Sequence, residues 1–196
     1  MNAPIEITAA FGKALVEAGR ANPTVVVIDS DIADSCMTEA FRAEFPERSI
    51  DLGVAEQSLP TIAAGLALTG KIPFYNSFAP FAALRGVDMI RQSIAYNRAN
   101  VKIVGHAAGQ TMGYTGPSHH TVEDVATLRA IPNLTILIPC DGTEVTQMVS
   151  EMVRHDGPVY LRLVRATVPD VHTPGYRFLS EAVGQCLPQQ PGVLYS

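Results

Sequence analysis

Two textures alternate along this chain. Over residues 5–18 apolar side chains return every three or four positions, with Ile7, Phe11 and Leu15 in line and Ala14 and Ala18 beside them. That spacing predicts an amphipathic helix, and Asn22-Pro23 breaks it. Residues 24–29 are β-branched and apolar up to Asp29, the pattern of a parallel strand covered on both faces. The pair then repeats. Helices are expected over 37–45, 58–68, 79–98, 122–130 and 142–154, and strands over 48–52, 71–75, 101–105, 135–138 and 159–164. Pro46 stops one helix and Gly70 caps another. Leu84, Val87, Ile90 and Ile94 are core candidates in the long helix. Regular alternation of helix and strand implies an α/β fold, with a mostly parallel sheet in a three-layer helix-sheet-helix arrangement.

Two stretches break the alternation. Residues 106–121 carry glycine, proline and three histidines without a regular pattern, and loops of that length inside a compact domain are often functional. Beyond Arg165, prolines punctuate a polar segment of no clear periodicity.

In open α/β sheets ligands bind at the carboxyl ends of the strands. There the pattern collects Asp31, Glu56, Ser77-Phe78, His106 and the region of Arg165. Glu56 follows a short strand and opens a helix, with Val54, Ala55 and Leu59 near it. Apolar surroundings would favour a neutral acid able to donate a hydrogen bond. The plainer reading is a first-turn glutamate that suits the helix dipole. Phe78 and Phe81 share one face of the expected helix. They suit stacking on a flat heteroaromatic ring, or are ordinary core. An acid, two rings and histidines at one sheet edge describe a pocket for a cationic or polar aromatic cofactor.

Composition narrows the classes. Hydrophobic residues make up 47% and charged residues 17%, with a net charge of −5, so a packed core is expected. No basic stripe points to nucleic acid, and no polybasic segment to an anionic membrane surface. No apolar run approaches the roughly 18 residues of a membrane span, and no secretory leader is expected. Cys36, Cys140 and Cys186 are far apart and odd in number, which fits reduced thiols and a cytoplasmic setting. Neither phosphate-binding glycine fingerprint occurs, nor a zinc spacing. His119, His120, Glu123 and Asp124 could gather a metal, but adjacent histidines before a helix fit a loop contact and a cap better; no metal site is expected.

Five runs in register carry a resemblance. They are Ile50-Asp-Leu-Gly-Val-Ala-Glu-Gln57, Ala63-Ala-Gly-Leu-Ala67, Asn76-Ser-Phe-Ala-Pro-Phe81, Gly116-Pro-Ser-His-His120 and Leu128-Arg-Ala-Ile-Pro-Asn-Leu134. Together they resemble the pyrimidine-binding domain of transketolases, and more narrowly the carboxy-terminal subunit of split bacterial transketolases, over residues 8–170. The resemblance implies thiamine diphosphate and Mg2+, and transfer of a two-carbon ketol unit between sugar phosphates. It matches Glu56 to the acid that hydrogen-bonds the aminopyrimidine, and Phe81 to the ring stacked on it, with Phe78 alongside. It matches Asp31 to an acid that approaches the cofactor across a dimer interface. His106 and His119 match substrate-hydroxyl and proton-transfer groups; Ser35 and Arg165 match phosphate contacts.

Three positions depart from the family pattern: Ala9 for an arginine, Thr115 for an acid and Leu84 for a tyrosine. The sequence lacks the family's diphosphate- and Mg2+-binding half. An amino-terminal, diphosphate-binding partner subunit is therefore expected, with a homodimer of this chain and no turnover by the chain alone. Residues 1–170 are read as the pyrimidine-binding domain and 171–196 as a linker and remnant of a missing carboxy-terminal domain. The alternatives are a 1-deoxyxylulose-5-phosphate synthase-like enzyme or a shortened, noncatalytic interaction subunit. A 2-oxo-acid dehydrogenase β subunit fits the fourth and fifth runs poorly.

Overall fold

The computed structural model describes residues 5–172 and 175–178. Its frame is a six-stranded, wholly parallel sheet in the order β3-β2-β4-β5-β7-β6. The strands are β2 (Val25–Asp29), β3 (Ser49–Asp51), β4 (Ile72–Phe78), β5 (Lys102–His106), β6 (Thr135–Leu137) and β7 (Val159–Arg162). The helices between them are α1 (Ile7–Ala21), α2 (Glu39–Glu44), α3 (Leu59–Leu68), α4 (Val87–Met89), α5 (Asp124–Leu128) and α6 (Gly142–Arg154). Short strands β1 (Ile5–Glu6) and β8 (Thr167–Val168) form a separate antiparallel pair.

Side chains alternate across a strand, and here the alternation divides two cores. Val25, Val27, Phe74, Val104, Val159 and Leu161 pack with α1, α6 and Phe41 of α2. Ile28, Tyr75, Ile103 and Tyr160 pack on the other side with α3, residues 82–95 and Leu128 of α5. The expected three layers form because every central strand has an apolar residue for each face. From β2 the chain passes to β3 on one side and then to β4 on the other. That reversal opens a crevice at the carboxyl ends of β2 and β4, where such sheets bind ligands.

Several elements differ from the sequence expectation. β4 does not end at residue 75. Its whole run from Ile72 to Phe78 is buried, and the ladder with β5 continues to the pair Phe78↔His106. Phe78 is therefore the last residue of a strand, and it shares no helix face with Phe81. The expected helix over 79–98 is not uniform: wide π-helical turns, Pro80–Arg85 and Ile90–Ala95, flank α4. Gly86 is the joint, and a Cβ there would lie 2.8 Å from Pro60 Cγ. The residues after Arg165 include β8, which forms only because β1 is there to pair with it.

Val171, His172, Tyr176 and Phe178 bond to α6 and its cap Asp141. Asp141 Oδ2 accepts from the backbone N–H of Val171 and His172 at 2.9 and 3.0 Å. The Tyr176 hydroxyl donates to Glu144 Oε1 at 2.8 Å, and Gln147 Nε2 to the Tyr176 carbonyl at 2.8 Å. The rest of the expected 171–196 remnant, residues 173–174 and 179–196, lies outside the described residues.

Candidate functional site

At the β2/β4 crevice the backbone is pinned by polar side chains. The Ser30 hydroxyl donates to Ser77 Oγ at 3.1 Å, tying the two strand ends together. Asp31 turns the chain with a φ of 62°, and its N–H donates to Asp51 Oδ1 at 3.0 Å. The same oxygen accepts from the Gly53 N–H at 3.0 Å, and Arg42 reaches Asp51 Oδ2 at 3.0 Å. Gly53, at φ 67°, gives a left-handed turn that a side chain would strain. The Asp31 carboxylate itself is exposed. Beneath it Asp29 is buried; burial pushes its carboxyl up to about 6, opposed by the Thr38 hydroxyl and Arg42.

These turns deliver Glu56 to the crevice. It lies in a turn ahead of α3 rather than in the helix's first turn. Its side chain is 7% exposed, and Arg85 Nη1 donates to Oε2 at 2.9 Å. The purely apolar surroundings expected from Val54, Ala55 and Leu59 are thus corrected. Val54 points to solvent, Leu59 is buried, and a guanidinium supplies a counter-charge. The same guanidinium carbon lies 4.2 Å from the centroid of the Phe81 ring. Phe81 then meets His119 edge-on at 5.1 Å, and Phe78 meets His119 at 5.5 Å. Phe78 and Phe81 contact each other at 6.3 Å and 66°. Four of the expected residues, Glu56, Phe78, Phe81 and His119, are joined into one cluster, with Arg85 as its unforeseen member.

His106 is placed differently. It is wholly buried, edge-on to Phe11 of α1 at 5.1 Å, with Nε2 3.1 Å from Asn76 Oδ1. Asn76 Nδ2 is committed to backbone carbonyls, so its oxygen must accept and His106 carries its proton on Nε2. Nδ1 has no partner, and burial lowers the imidazole pKa to about 3. A neutral, enclosed imidazole offers a substrate no surface, so the expected hydroxyl contact through His106 is not available in this conformation.

Ser35 and Arg165 approach the crevice from the β2–α2 loop and the segment after β7. Arg165 N–H donates to Thr111 Oγ1 at 3.1 Å, and its guanidinium reaches Met112 Sδ at 3.5 Å and the Tyr114 hydroxyl at 3.4 Å. It also acts on the thiol of Cys36, next to Ser35. The loop over 106–121 is held by a bridge between Gly109 and Thr121. Arg162 Nη2 donates to the Thr121 carbonyl at 3.2 Å, and its Nε to buried Asp124 Oδ2 at 2.9 Å. The Tyr160 hydroxyl donates to the same oxygen at 2.7 Å. Gly105 permits this, because a Cβ there would lie 2.5 Å from the Tyr160 oxygen.

Asp124 is thereby spent on structure, and Glu123 Oε2 accepts from the Val122 N–H. The four-residue metal grouping considered from sequence does not assemble. Among the described residues Cys140, Asp141 and His172 place ligand atoms within 4.8 Å of one another. Cys140 Sγ and Asp141 Oδ2 both face His172 Nδ1, at 3.8 and 2.8 Å. A nucleophile relay needs one partner on each ring nitrogen. Asp141 also caps α6 through the Glu144 N–H at 2.8 Å, so the trio reads as an anchor for the segment it touches. A shallow depression of about 130 Å³ near Thr135, Met152 and Val159 lies at the opposite end of the sheet from Glu56.

Comparison with known proteins identifies the family. The family model for the transketolase pyrimidine binding domain matches residues 3–170. A transketolase C-terminal section of Methanocaldococcus jannaschii is 44% identical over 155 residues, covering 79% of this chain and 49% of that protein. A 6-deoxy-6-sulfo-D-fructose transketolase subunit of a Clostridium species is 40% identical, covering 77% and 47%. The chain thus spans about half the length of these relatives. A solved split-gene transketolase, described as an inactive β4 tetramer, is 44% identical with a TM-score of 0.80, covering 90% of this chain and 57% of that one.

Proposed function

The chain belongs to the transketolase family, as its pyrimidine-binding domain, and on that premise we propose that it is one subunit of a two-component, thiamine-diphosphate-dependent transketolase. The observation that carries this is the cluster at the sheet edge: a nearly buried Glu56 beside Phe81, with Phe78 and His119 closing the other side. A planar cation, the Arg85 guanidinium, already rests against both the carboxylate and the Phe81 ring. An aminopyrimidine has the same needs, a ring to cover its face and a carboxyl for its ring nitrogen, so these residues fit it.

Thiamine diphosphate, when bound, supplies the electron sink for making and breaking the bond beside a ketose carbonyl. The chain's own residues bind and hand over protons. Glu56 holds a proton at the pyrimidine nitrogen, and Phe81 supports the ring, flanked by Phe78. His119, half-buried at the mouth, moves protons to and from sugar hydroxyls, a task suited to imidazole near neutral pH. Asp31, exposed at the crevice, reaches toward the partner. Ser35 and Arg165 receive the sugar phosphate, for which a guanidinium fork is well shaped. His106 is reassigned from substrate contact to positioning, holding Asn76 and the end of β4. The diphosphate and Mg2+ fall to an amino-terminal partner subunit, residues 1–170 form the functional domain, and the working assembly contains a dimer of this chain.

No described helix is long and apolar enough to cross a membrane. Free Cys36 and Cys140 support a cytoplasmic setting. A second reading, a noncatalytic interaction subunit, draws on the inactive tetramer of the 44% identical structure.

The deciding experiment mixes the chain with its candidate partner, thiamine diphosphate and Mg2+, and follows ketol transfer in wild type and Glu56→Gln. Activity that needs the partner and is lost in the variant supports the reading. A stable complex that transfers nothing favours the noncatalytic subunit. Turnover from pyruvate and an aldehyde instead of a ketose and an aldose would move the assignment to a 1-deoxyxylulose-5-phosphate synthase-like enzyme.

A further inference from the structure

The Arg85 contact is at odds with the task assigned to Glu56. To donate a hydrogen bond to a ring nitrogen, a carboxyl group must carry a proton. A guanidinium donating to Oε2 at 2.9 Å already occupies one oxygen of that group. The guanidinium also covers the ring that the pyrimidine would stack on, at 4.2 Å from its centroid. Both halves of the pyrimidine's seat are therefore engaged by one side chain.

We propose that Arg85 is a placeholder for the pyrimidine, holding Glu56 and Phe81 in position in the free subunit and swinging out when the cofactor enters. This rests on the transketolase reading and extends it to a residue that the motif resemblance leaves out.

The local architecture suits the role. Arg85 ends the π-helical turn Pro80–Arg85 that also carries Phe81, and wide turns of this kind are frequent at functional sites. A Cβ at the next residue, Gly86, would lie 2.8 Å from Pro60 Cγ and 3.7 Å from the Glu56 carbonyl oxygen. Only a glycine lets the turn approach the Glu56 segment so closely, and that approach aims the arginine at the carboxylate. The side chain is 41% exposed, so it has solvent to move into. Ion pairs and ring contacts this exposed are individually weak, which makes the contact displaceable. A placeholder of this strength lowers apparent affinity by the fraction of time that it occupies the seat.

The test titrates thiamine diphosphate into the complex of this chain with its diphosphate-binding partner, at saturating Mg2+, by calorimetry. Wild type is compared with Arg85→Met, which keeps the stem and removes the fork, and with Arg85→Lys. Removing the competitor should tighten binding roughly three- to tenfold in Arg85→Met. Arg85→Lys should fall between, because an ammonium pairs with Glu56 but presents no plane to Phe81; it serves as the test if the methionine variant does not fold. A merely structural arginine gives the opposite sign: unchanged or weaker binding in both variants overturns the proposal. So does a structure of the loaded complex with Arg85 still paired to Glu56 Oε2. If wild type and both variants bind no thiamine diphosphate, the transketolase reading itself fails and takes this inference with it.

Discussion

His106 should oppose folding in mild acid, and its geometry sets the size of its contribution. The imidazole is enclosed, donates from Nε2 to Asn76, and has nothing to receive a proton's N–H at Nδ1. Protonation in the folded state would bury a charge with one unpaired donor, and burial accordingly lowers the pKa to about 3. In the unfolded chain the group titrates near 6.5. Between those values the unfolded state binds a proton that the folded state refuses, so stability falls as pH is lowered from about 6.5. Each pH unit in that window is worth up to about 1.4 kcal/mol. Asp29 works the other way: its carboxyl, raised to about 6, takes up a proton in the folded state first and gains stability on acidification, so wild type shows the difference of the two. Comparison with His106→Gln isolates the histidine. The variant starts lower by a constant packing cost. It should then gain about 2–3 kcal/mol on wild type between pH ~6.5 and pH ~4.5. Urea unfolding followed by far-UV circular dichroism at several pH values reads this directly. Parallel curves for the two proteins across that range would refute the argument.

Two further substitutions test the supports of the site. Asp124→Ala removes the one carboxylate oxygen shared by Arg162 and Tyr160, and leaves a guanidinium only 17% exposed without its partner. The expected loss is about 3–5 kcal/mol in urea unfolding, with faster proteolysis of residues 106–121; a loss below about 1 kcal/mol would mean that the pair is not holding the loop. Lys102 is buried at the opposite end of the sheet, donating to the carbonyls of His155 and Gly157 at 2.8 and 2.7 Å. Those two acceptors match the two N–H groups of a neutral amine, and burial lowers its pKa to about 7. The unfolded chain keeps that proton to about 10.4. Stability should therefore rise with pH above about 7, by about 1–2 kcal/mol to pH ~8.5. Lys102→Met should lack the rise, and an identical rise in the variant would show that the lysine is charged in the fold.

Legibility differed sharply between kinds of residue. Phe81 and Glu56 were legible as residues because each sits in a local turn at a strand end, before α3 and after β4, but their contacts with Arg85 and His119 were not all local. The aromatic pairing of Phe78 with Phe81 was foreseen for the wrong reason, since Phe78 ends a strand. The strand ran on to residue 78 because β5 offered a ladder as far as His106, a fact about another part of the chain. Arg85 sits one turn beyond Phe81, so its closeness to the ring was available from spacing alone. Its pairing with Glu56, 29 residues away, was not. Asp124 shows the same limit, because its partners Tyr160 and Arg162 lie on a strand 36 and 38 residues later.

By itself the sequence determined the layers. A strand with apolar residues at every position can only be covered on both faces, and helices with one apolar stripe can only be the cover. It also determined which residue types gather at the strand ends, and through five runs in register it determined the family. The tertiary structure alone decided strand order, and with it the crevice between β2 and β4. It decided that His106 turns into the core while His119 turns to the rings, although both lie at the ends of one loop. Local periodicity constrains which face a residue takes, but the partner waiting on that face is set by packing between segments far apart in the chain. The charge beside Glu56 is such a partner, and only the fold brings it there.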